Sequence, residues 1–294
     1  MKTIHALHRQ LPVVWALFAA LSLCTGTAPA QTYTTIDCPG STFTQGHGIN
    51  NLGEVVGNCD DASGNGHGFM LRHGRFTILD VPGATLTRSL GVNNRGDIVG
   101  RYEVGDGVSH GYVLRNGSYR TIDPPGSVWT NARDIDDLER IVGYYDDSDG
   151  NEHGFLLDRD RYVTLDVPGG VLTTANGIND LRRIVGFYVD TADAGHGFLM
   201  KDKGASVTID VPGSVSTEAN GINIPGLIAG DWDDADGAEH GFLLTPHGFE
   251  TFDFPGAPDT TPFGINDLGQ IVGGYLGTDG LIHGFLRGCA RSRD

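Results

Sequence analysis

Positive charge is scarce in this chain: 20 Lys and Arg stand against 37 Asp and Glu, a formal net charge of −17. Phosphate binding needs a basic footprint, so nucleic acid is not expected as a partner. Long helical patterns are also few, while 45 Gly and 13 Pro punctuate the chain. That balance reads as all-β with many turns. Catalytic and cofactor signatures are missing as well, with no G-x-S-x-G elbow, H-E-x-x-H, P-loop or dinucleotide fingerprint. No cofactor is therefore expected, and binding stands ahead of catalysis.

Only one apolar run occurs, Leu11 to Cys24, preceded by Lys2 and Arg9 and followed by Ala28-Pro29-Ala30. It is too short to span a bilayer comfortably, and a small-x-small site after an apolar stretch marks a cleaved signal peptide. Residues 1–30 are read as that leader, with a mature start near Gln31 and no membrane span. Lipidation at Cys24 is disfavoured by Leu23, where a small residue is expected. Without Lys2 and Arg9 the charge becomes −19, spread along the chain rather than gathered in a tail. Acidic loops of this kind keep a secreted domain soluble.

What the chain has is repetition. Aligned on T-I-D-x-P-G, Asp37, Asp80, Asp123, Asp166, Asp210 and Asp253 recur every 43 or 44 residues. A period in this range signals a propeller, a solenoid or an array. Each repeat holds four β patterns: Gly-Ile-Asn, Ile-Val-Gly-x-Tyr, His-Gly-Phe-Leu-Leu and Tyr-x-Thr-Ile-Asp. The short turns between them suit antiparallel neighbours. A four-stranded unit in six copies predicts a six-bladed β-propeller over residues 31–289, with a short tail at 290–294. The phase supports a ring, since the chain begins with a fourth-strand sequence at Tyr33 and ends with a third-strand sequence at His283. The N-terminal strand would complete the last blade. An open array is the alternative, and it would require capping repeats that are absent here.

Two cysteines break the repeat together. Cys38 replaces Val, Pro or Phe, and Cys59 replaces Tyr or Trp, in the same region of the predicted fold. A Cys38–Cys59 disulfide is predicted, suited to an oxidising compartment, with Cys289 left over.

The repeated histidines His67, His110, His153, His196, His240 and His283 invite a metal reading. Equivalent residues of six blades are spread around a ring, whereas metal ligands must converge. They are expected to bond within each blade, to the Asp of T-I-D or to a Thr. Acidic turns such as Asp146–Gly150 and Asp233–Gly237 resemble calcium loops but lack the full ligand pattern, and Asp-Gly is an ordinary hairpin turn.

Positions that vary among the copies are the better guide to a site. Thr44, Thr87, Thr130, Thr173, Thr217 and Thr260 are identical, yet three residues later stand His47, Leu90, Arg133, Asn176, Asn220 and Phe263. One residue after the Thr, Arg88 and Asn131 are among the variants. These segments lead into the innermost strands and should surround the mouth of a central channel, a plausible ligand platform. The third repeat departs most, with Trp129, Arg133 and Asp134-Ile-Asp136, while Tyr144 and Phe187 occupy a column that is Asn58, Arg101, Asp231 and Gly274 elsewhere. Aromatic and guanidinium groups together suit carbohydrate stacking or a protein hot spot. The candidate ligand-binding residues are thus His47, Arg88, Trp129, Arg133, Tyr144, Asn176, Phe187, Asn220 and Phe263.

The run Gly264-Ile-Asn-Asp-Leu-Gly-Gln-Ile-Val-Gly273, followed by His283-Gly-Phe-Leu286, resembles the HAF repeat family of extracellular repeat proteins over residues 33 to 288. The resemblance implies a secreted protein without assigning an activity. Members often carry a C-terminal sorting segment, and Arg291-Ser-Arg-Asp294 lacks it, so release is expected over anchoring. A monomeric, non-catalytic module binding a glycan or protein is the leading expectation. A lyase or hydrolase on the same scaffold, or a structural envelope protein, are the alternatives.

Overall fold

Each repeat folds as its alternation of apolar runs and turn residues dictates. The computed structural model describes residues 31–105, 107–201 and 204–289 and contains no α-helix among them. The segments expected to be a leader and a tail, 1–30 and 290–294, lie outside the described residues. In the third repeat Ser127–Ile135, Ile141–Asp147, Glu152–Asp158 and Arg161–Leu165 pair antiparallel in chain order. The other repeats follow the same succession. The first strand begins earlier than its Gly-Ile-Asn signature, because Trp129, Thr130 and Asn131 already pair with Asp146, Tyr145 and Tyr144.

The sixth repeat supplies only Thr260–Ile265, Ile271–Leu276 and Ile282–Cys289; its fourth strand is Gln31–Ile36, antiparallel from Gln31 opposite Cys289 to Ile36 opposite Gly284. Side chains fix this join between the chain's two ends. His283 meets Asp37 at 3.1 Å, and the Tyr275 hydroxyl meets Thr35 at 2.9 Å.

The core lies between repeats. One apolar cluster joins Val99, Val113 and Ile122 of the second repeat to Ile135, Ile141 and Phe155 of the third. Another joins Val272 of the sixth to Ile49, Val55 and Phe69 of the first. Flanked on both faces, the Ile-Val-Gly strands open with three consecutive buried residues rather than alternating, and are less buried toward their ends. Phe69, Tyr112, Phe155, Phe198, Phe242 and Phe285 are fully buried, and each ring lies over the Gly of its neighbouring Ile-Val-Gly strand. A Cβ at any of those glycines would stand within 2.9 Å of the ring, so only Gly fits. In the second repeat the ring is a tyrosine, and its hydroxyl meets Ser89 at 2.8 Å, where other repeats have Gly, Ala or Pro.

The unvarying threonines now have a role. In five repeats the buried Thr hydroxyl accepts the backbone N–H of the residue after T-I-D, as from Val167 to Thr173 at 3.0 Å. Pro124 has no N–H to give, and Thr130 there donates to Ser127 instead at 3.2 Å. The Gly-Ile-Asn asparagines link one repeat to the next. Nδ2 of Asn50 donates to the Asn93 carbonyl, Asn93 to Asp136, Asn179 to Asn223, Asn223 to Asn266, and Asn266 back to Asn50, at 2.7–3.2 Å. Asp136 lacks an amide to continue the chain. Arg140 replaces it, bonding Asp136 Oδ2 at 2.6 Å and reaching the carbonyls of Asn179 and Asp180.

The Cys38–Cys59 disulfide is formed, with its Cα atoms 6.3 Å apart. It joins the end of the Gln31–Ile36 strand to the second strand of the first repeat. In other repeats the position of Cys59 holds an aromatic ring packed on the repeat's histidine, as Tyr145 on His153.

All six histidines bond the Asp of their own T-I-D element through Nδ1, at 2.8–3.1 Å. Several also face the aspartate of the acidic turn through Nε2, as His153 to Asp147 at 3.3 Å. That aspartate accepts from its own turn, taking the backbone N–H groups of Asp149 and Asn151 and the Asn151 amide. The acidic turns are thus knitted by internal bonds, and no cluster of three metal-ligating side chains occurs among the described residues.

Carboxylates on both ring nitrogens favour the imidazolium. Burial lowers the His153 pKa, but the bonds to Asp166 and Asp147 outweigh it and the net shift is upward. A raised folded-state pKa gives stabilisation that is full below about pH 6.5 and is lost as pH rises through the folded value. His153→Gln is therefore expected to cost below about 1 kcal/mol, the pair being partly exposed, and to cost more at pH 5.5 than at pH 8.5. Thermal melts of both proteins at the two pH values measure this, and an equal deficit at both contradicts it.

Candidate functional site

In every repeat the first strand slips register at the same place. The shifts fall between Gly46 and Gly48, Ser89 and Gly91, Ala132 and Asp134, Ala175 and Gly177, Ala219 and Gly221, and Pro262 and Gly264. The skipped residues are His47, Leu90, Arg133, Asn176, Asn220 and Phe263. A β-bulge re-aims the extra side chain, and all six line one narrow throat of about 40 Å³. The variable column three residues after the unvarying Thr is thus the column of bulge residues. The His47 and Phe263 rings, from the adjacent first and sixth repeats, stack in the throat at 4.2 Å.

Beside the throat a wider recess of about 320 Å³ opens over the first three repeats, lined by His47, Arg88, Trp129, Arg133 and Tyr144 among others. Trp129 and Tyr144 stack at 5.5 Å with 28° between their planes, and the Arg101 guanidinium lies 5.6 Å from the Trp129 ring. Arg88 sits 5.8 Å from Phe43 and pairs with Asp60 at 2.5 Å. Arg101 pairs with Glu103 at 2.6 Å. Asn131 donates to the Tyr144 hydroxyl at 3.0 Å, while its own Oδ1 is buried without a partner.

Burial, then the charges of Arg133 and Arg88, push the His47 pKa well below its ordinary value, although a bond with Asn58 works the other way. His47 is therefore neutral near pH 7. Across the throat the balance reverses. Glu218 and Asp231 are direct cross-strand partners, tied to Asn176 at 2.9 Å and to Asn220 at 2.6 Å respectively. Burial raises the pKa of Glu218, with Arg133 pulling it down; burial and then the charge of Glu218 raise that of Asp231.

Of the nine residues singled out in the sequence, five line the recess, and Asn176, Asn220 and Phe263 line the throat with His47 and Arg133. Asn176 and Asn220 spend their amides on internal bonds. Phe187 is placed elsewhere: it pairs across from Thr174 and covers Gly195 in the fourth repeat. It shares the column of Tyr144, but the recess is built by the first three repeats. Sequence reasoning did not single out Phe43, Asn58 or Arg101. The signal was present, since Phe43 precedes Thr44 as Trp129 precedes Thr130, and Asn58 and Arg101 share the column of Tyr144. A larger recess of about 590 Å³ lies away from these residues, between the third and fourth repeats, around Leu156, Val163 and Met200.

No protein-family model matches the chain, and no curated protein does. Solved structures do. TolB from Acinetobacter baumannii aligns with a TM-score of 0.60 at 12% identity, over 80% of this chain and 63% of that one. The chain thus spans less than two thirds of TolB. AofleA from Arthrobotrys oligospora aligns with a TM-score of 0.56 at 11% identity, over 90% of this chain and 88% of that one. The SapL1 lectin, solved in complex with alpha methyl fucoside, gives 0.54 at 13%, over 85% of this chain and 96% of that one. The fold is β-propeller-like. At these identities the likeness concerns architecture alone.

Proposed function

We propose that the chain is a secreted six-bladed β-propeller of the HAF repeat kind, its ring closed by the N-terminal strand, and that it binds a glycan in the recess beside the throat. The return of the asparagine chain from Asn266 to Asn50, together with the pairing of Gln31–Ile36 to Ile282–Cys289, supports the closed ring. The disulfide supports an oxidising compartment. The observation that carries the binding reading is the half-exposed Trp129–Tyr144 stack beside the unpartnered Asn131 Oδ1. An aromatic face packs the apolar side of a sugar ring, and a buried acceptor without a donor matches a sugar hydroxyl. The fold shared with the SapL1 lectin is compatible with this role.

A ligand of the native state alone raises stability by about 2.7 kcal/mol at a hundredfold excess over Kd. In a thermal-shift screen against soluble saccharides, at least one is expected to raise Tm by several degrees. Trp129→Ala is expected to abolish that shift with little change in the unliganded Tm. A shift that survives in the variant, or a screen with no response, removes the recess from consideration and turns the search to a protein partner. A catalytic reading rests on Glu218 and Asp231, a buried carboxyl pair, although a glycosidase needs one carboxyl protonated as the acid and the other ionised, and burial raises both pKa values here. The pair is held by Asn176 and Asn220 away from the recess, so binding is preferred. Release of reducing ends from a polysaccharide, lost in Glu218→Gln, would reverse that preference.

A further inference from the structure

We propose that the recess selects a saccharide bearing a carboxylate, a uronic acid or a sugar of that class, with Arg133 as the group that recognises the charge. The inference rests on the saccharide-binding reading and names the class of sugar.

The recess is an island of positive character on an acidic protein. Its lining includes Arg88, Arg101 and Arg133 and no Asp or Glu, although the chain carries a net charge of −17. Two of the three guanidiniums are already matched, Arg88 by Asp60 and Arg101 by Glu103. Arg133 is different: half-buried at the junction of recess and throat, its guanidinium has no hydrogen bond or ion pair among the described residues. The nearby acids are turned to other donors. Asp134 accepts the backbone N–H groups of Ile135 and Ile178, at 2.8 and 2.9 Å, and Glu218 accepts from Asn176 at 2.9 Å. The charge of Arg133 is felt by Glu218, yet the two form no ion pair, so the guanidinium hydrogens are left for a ligand that brings an acceptor pair. The planar guanidinium fork matches the two oxygens of a carboxylate, which gives direction as well as charge.

The remaining groups are placed to read the same molecule. Asn131 stands two residues before Arg133 on the strand, and its free Oδ1 suits a ring hydroxyl. Trp129, two residues earlier again, presents the stacking face with Tyr144. His47, kept neutral by burial and then by the charges of Arg133 and Arg88, adds no charge of its own and leaves the specificity to the arginine.

The test is calorimetric titration of the whole secreted chain with oligosaccharides of galacturonate and of glucuronate. Each is paired with its carboxyl-reduced neutral counterpart and with a sulfated form of that counterpart. At least one uronate is expected to bind about tenfold or more tighter than its neutral partner, the scale of one charge-assisted bond. Arg133→Gln should erase the preference, and Arg133→Lys should restore part of it. Unliganded Tm and near-ultraviolet circular dichroism report whether each variant is folded. Equal binding of acidic and neutral sugars by the native protein overturns the carboxylate class and leaves the glycan reading standing. So does tighter binding of the sulfated form than of the uronate. A preference that survives in Arg133→Gln overturns the role of that residue. If no saccharide of any kind binds, both readings fall.

Discussion

Exchanging Arg140 for glutamine is expected to lower the unfolding free energy by about 3 kcal/mol, and adding Asp136→Asn to the same chain to recover most of the loss. Five repeats carry the inter-repeat bond on an asparagine amide; the third carries it on Arg140, whose guanidinium both neutralises Asp136 and reaches the carbonyls of Asn179 and Asp180. The side chains are 11% and 1% exposed, so removing the arginine leaves a buried carboxylate unpaired and a junction between repeats unbonded. Asp136→Asn removes the charge and restores the amide. The double variant then has the Asn and Gln of the sixth repeat, where Asn266 reaches Gln270 at 2.8 Å and the Asn50 carbonyl at 3.0 Å. Denaturant titrations of the wild type, both single variants and the double complete the cycle. A double variant no more stable than Arg140→Gln would show that the arginine acts otherwise. The penalty of Arg140→Gln should also shrink in acid, because protonating Asp136 discharges the buried group.

Replacing Cys38 and Cys59 by serine is expected to cost about 3 kcal/mol, the loop-closure value for the 21-residue separation of the disulfide. For a domain of this size that is roughly 6–12 °C in Tm. Beyond this effect on the unfolded chain, an additional local loss is expected. The Gln31–Ile36 strand has the disulfide on its C-terminal side, and its sheet pairing is to Ile282–Cys289, at the other end of the chain. Without the disulfide, the entropy of a free terminus competes with that pairing, the Thr35–Tyr275 bond and the Asp37–His283 bond. Hydrogen exchange is the sharper readout. Protection should fall first in Gln31–Ile36 and in its partner strand, while Ile141–Asp147 keeps its protection. An even loss across all repeats would mean that the disulfide acts on the unfolded chain without holding this junction.

Much of the fold was legible because six copies of one unit separate what packing requires from what it leaves open. The offset of the repeat phase predicted the pairing of N- and C-terminal strands, since Tyr33 to Asp37 reads as a fourth strand and the chain otherwise ends on a third. The paired departure of Cys38 and Cys59 predicted the disulfide. The constancy of His and T-I-D led to an expected bond within each blade, to that Asp or to a Thr, because a half-buried imidazole needs a partner; the structure shows the Asp.

Other features depended on neighbours that lie one repeat away. Asp134-Ile-Asp136 looked like a functional departure, yet Asp136 is matched by Arg140, a compensation visible only when the turn is folded back onto the strand and the next repeat is beside it. The variable column and its place around a channel mouth were expected from the sequence, but the means was not, since alternation along a strand cannot reveal that a bulge turns His47, Arg133 and Phe263 into a common throat. Phe187 and Tyr144 share one column and end in different surroundings, because the repeat to either side of each decides what it touches. The sequence by itself determined the repeat, its four strands, its phase and the disulfide, all of which follow from local patterning and from counting copies. Tertiary structure alone decided which variable side chains meet and which cation is left unpaired, because those depend on contacts between residues some 43 positions apart that the packing of adjacent sheets brings together.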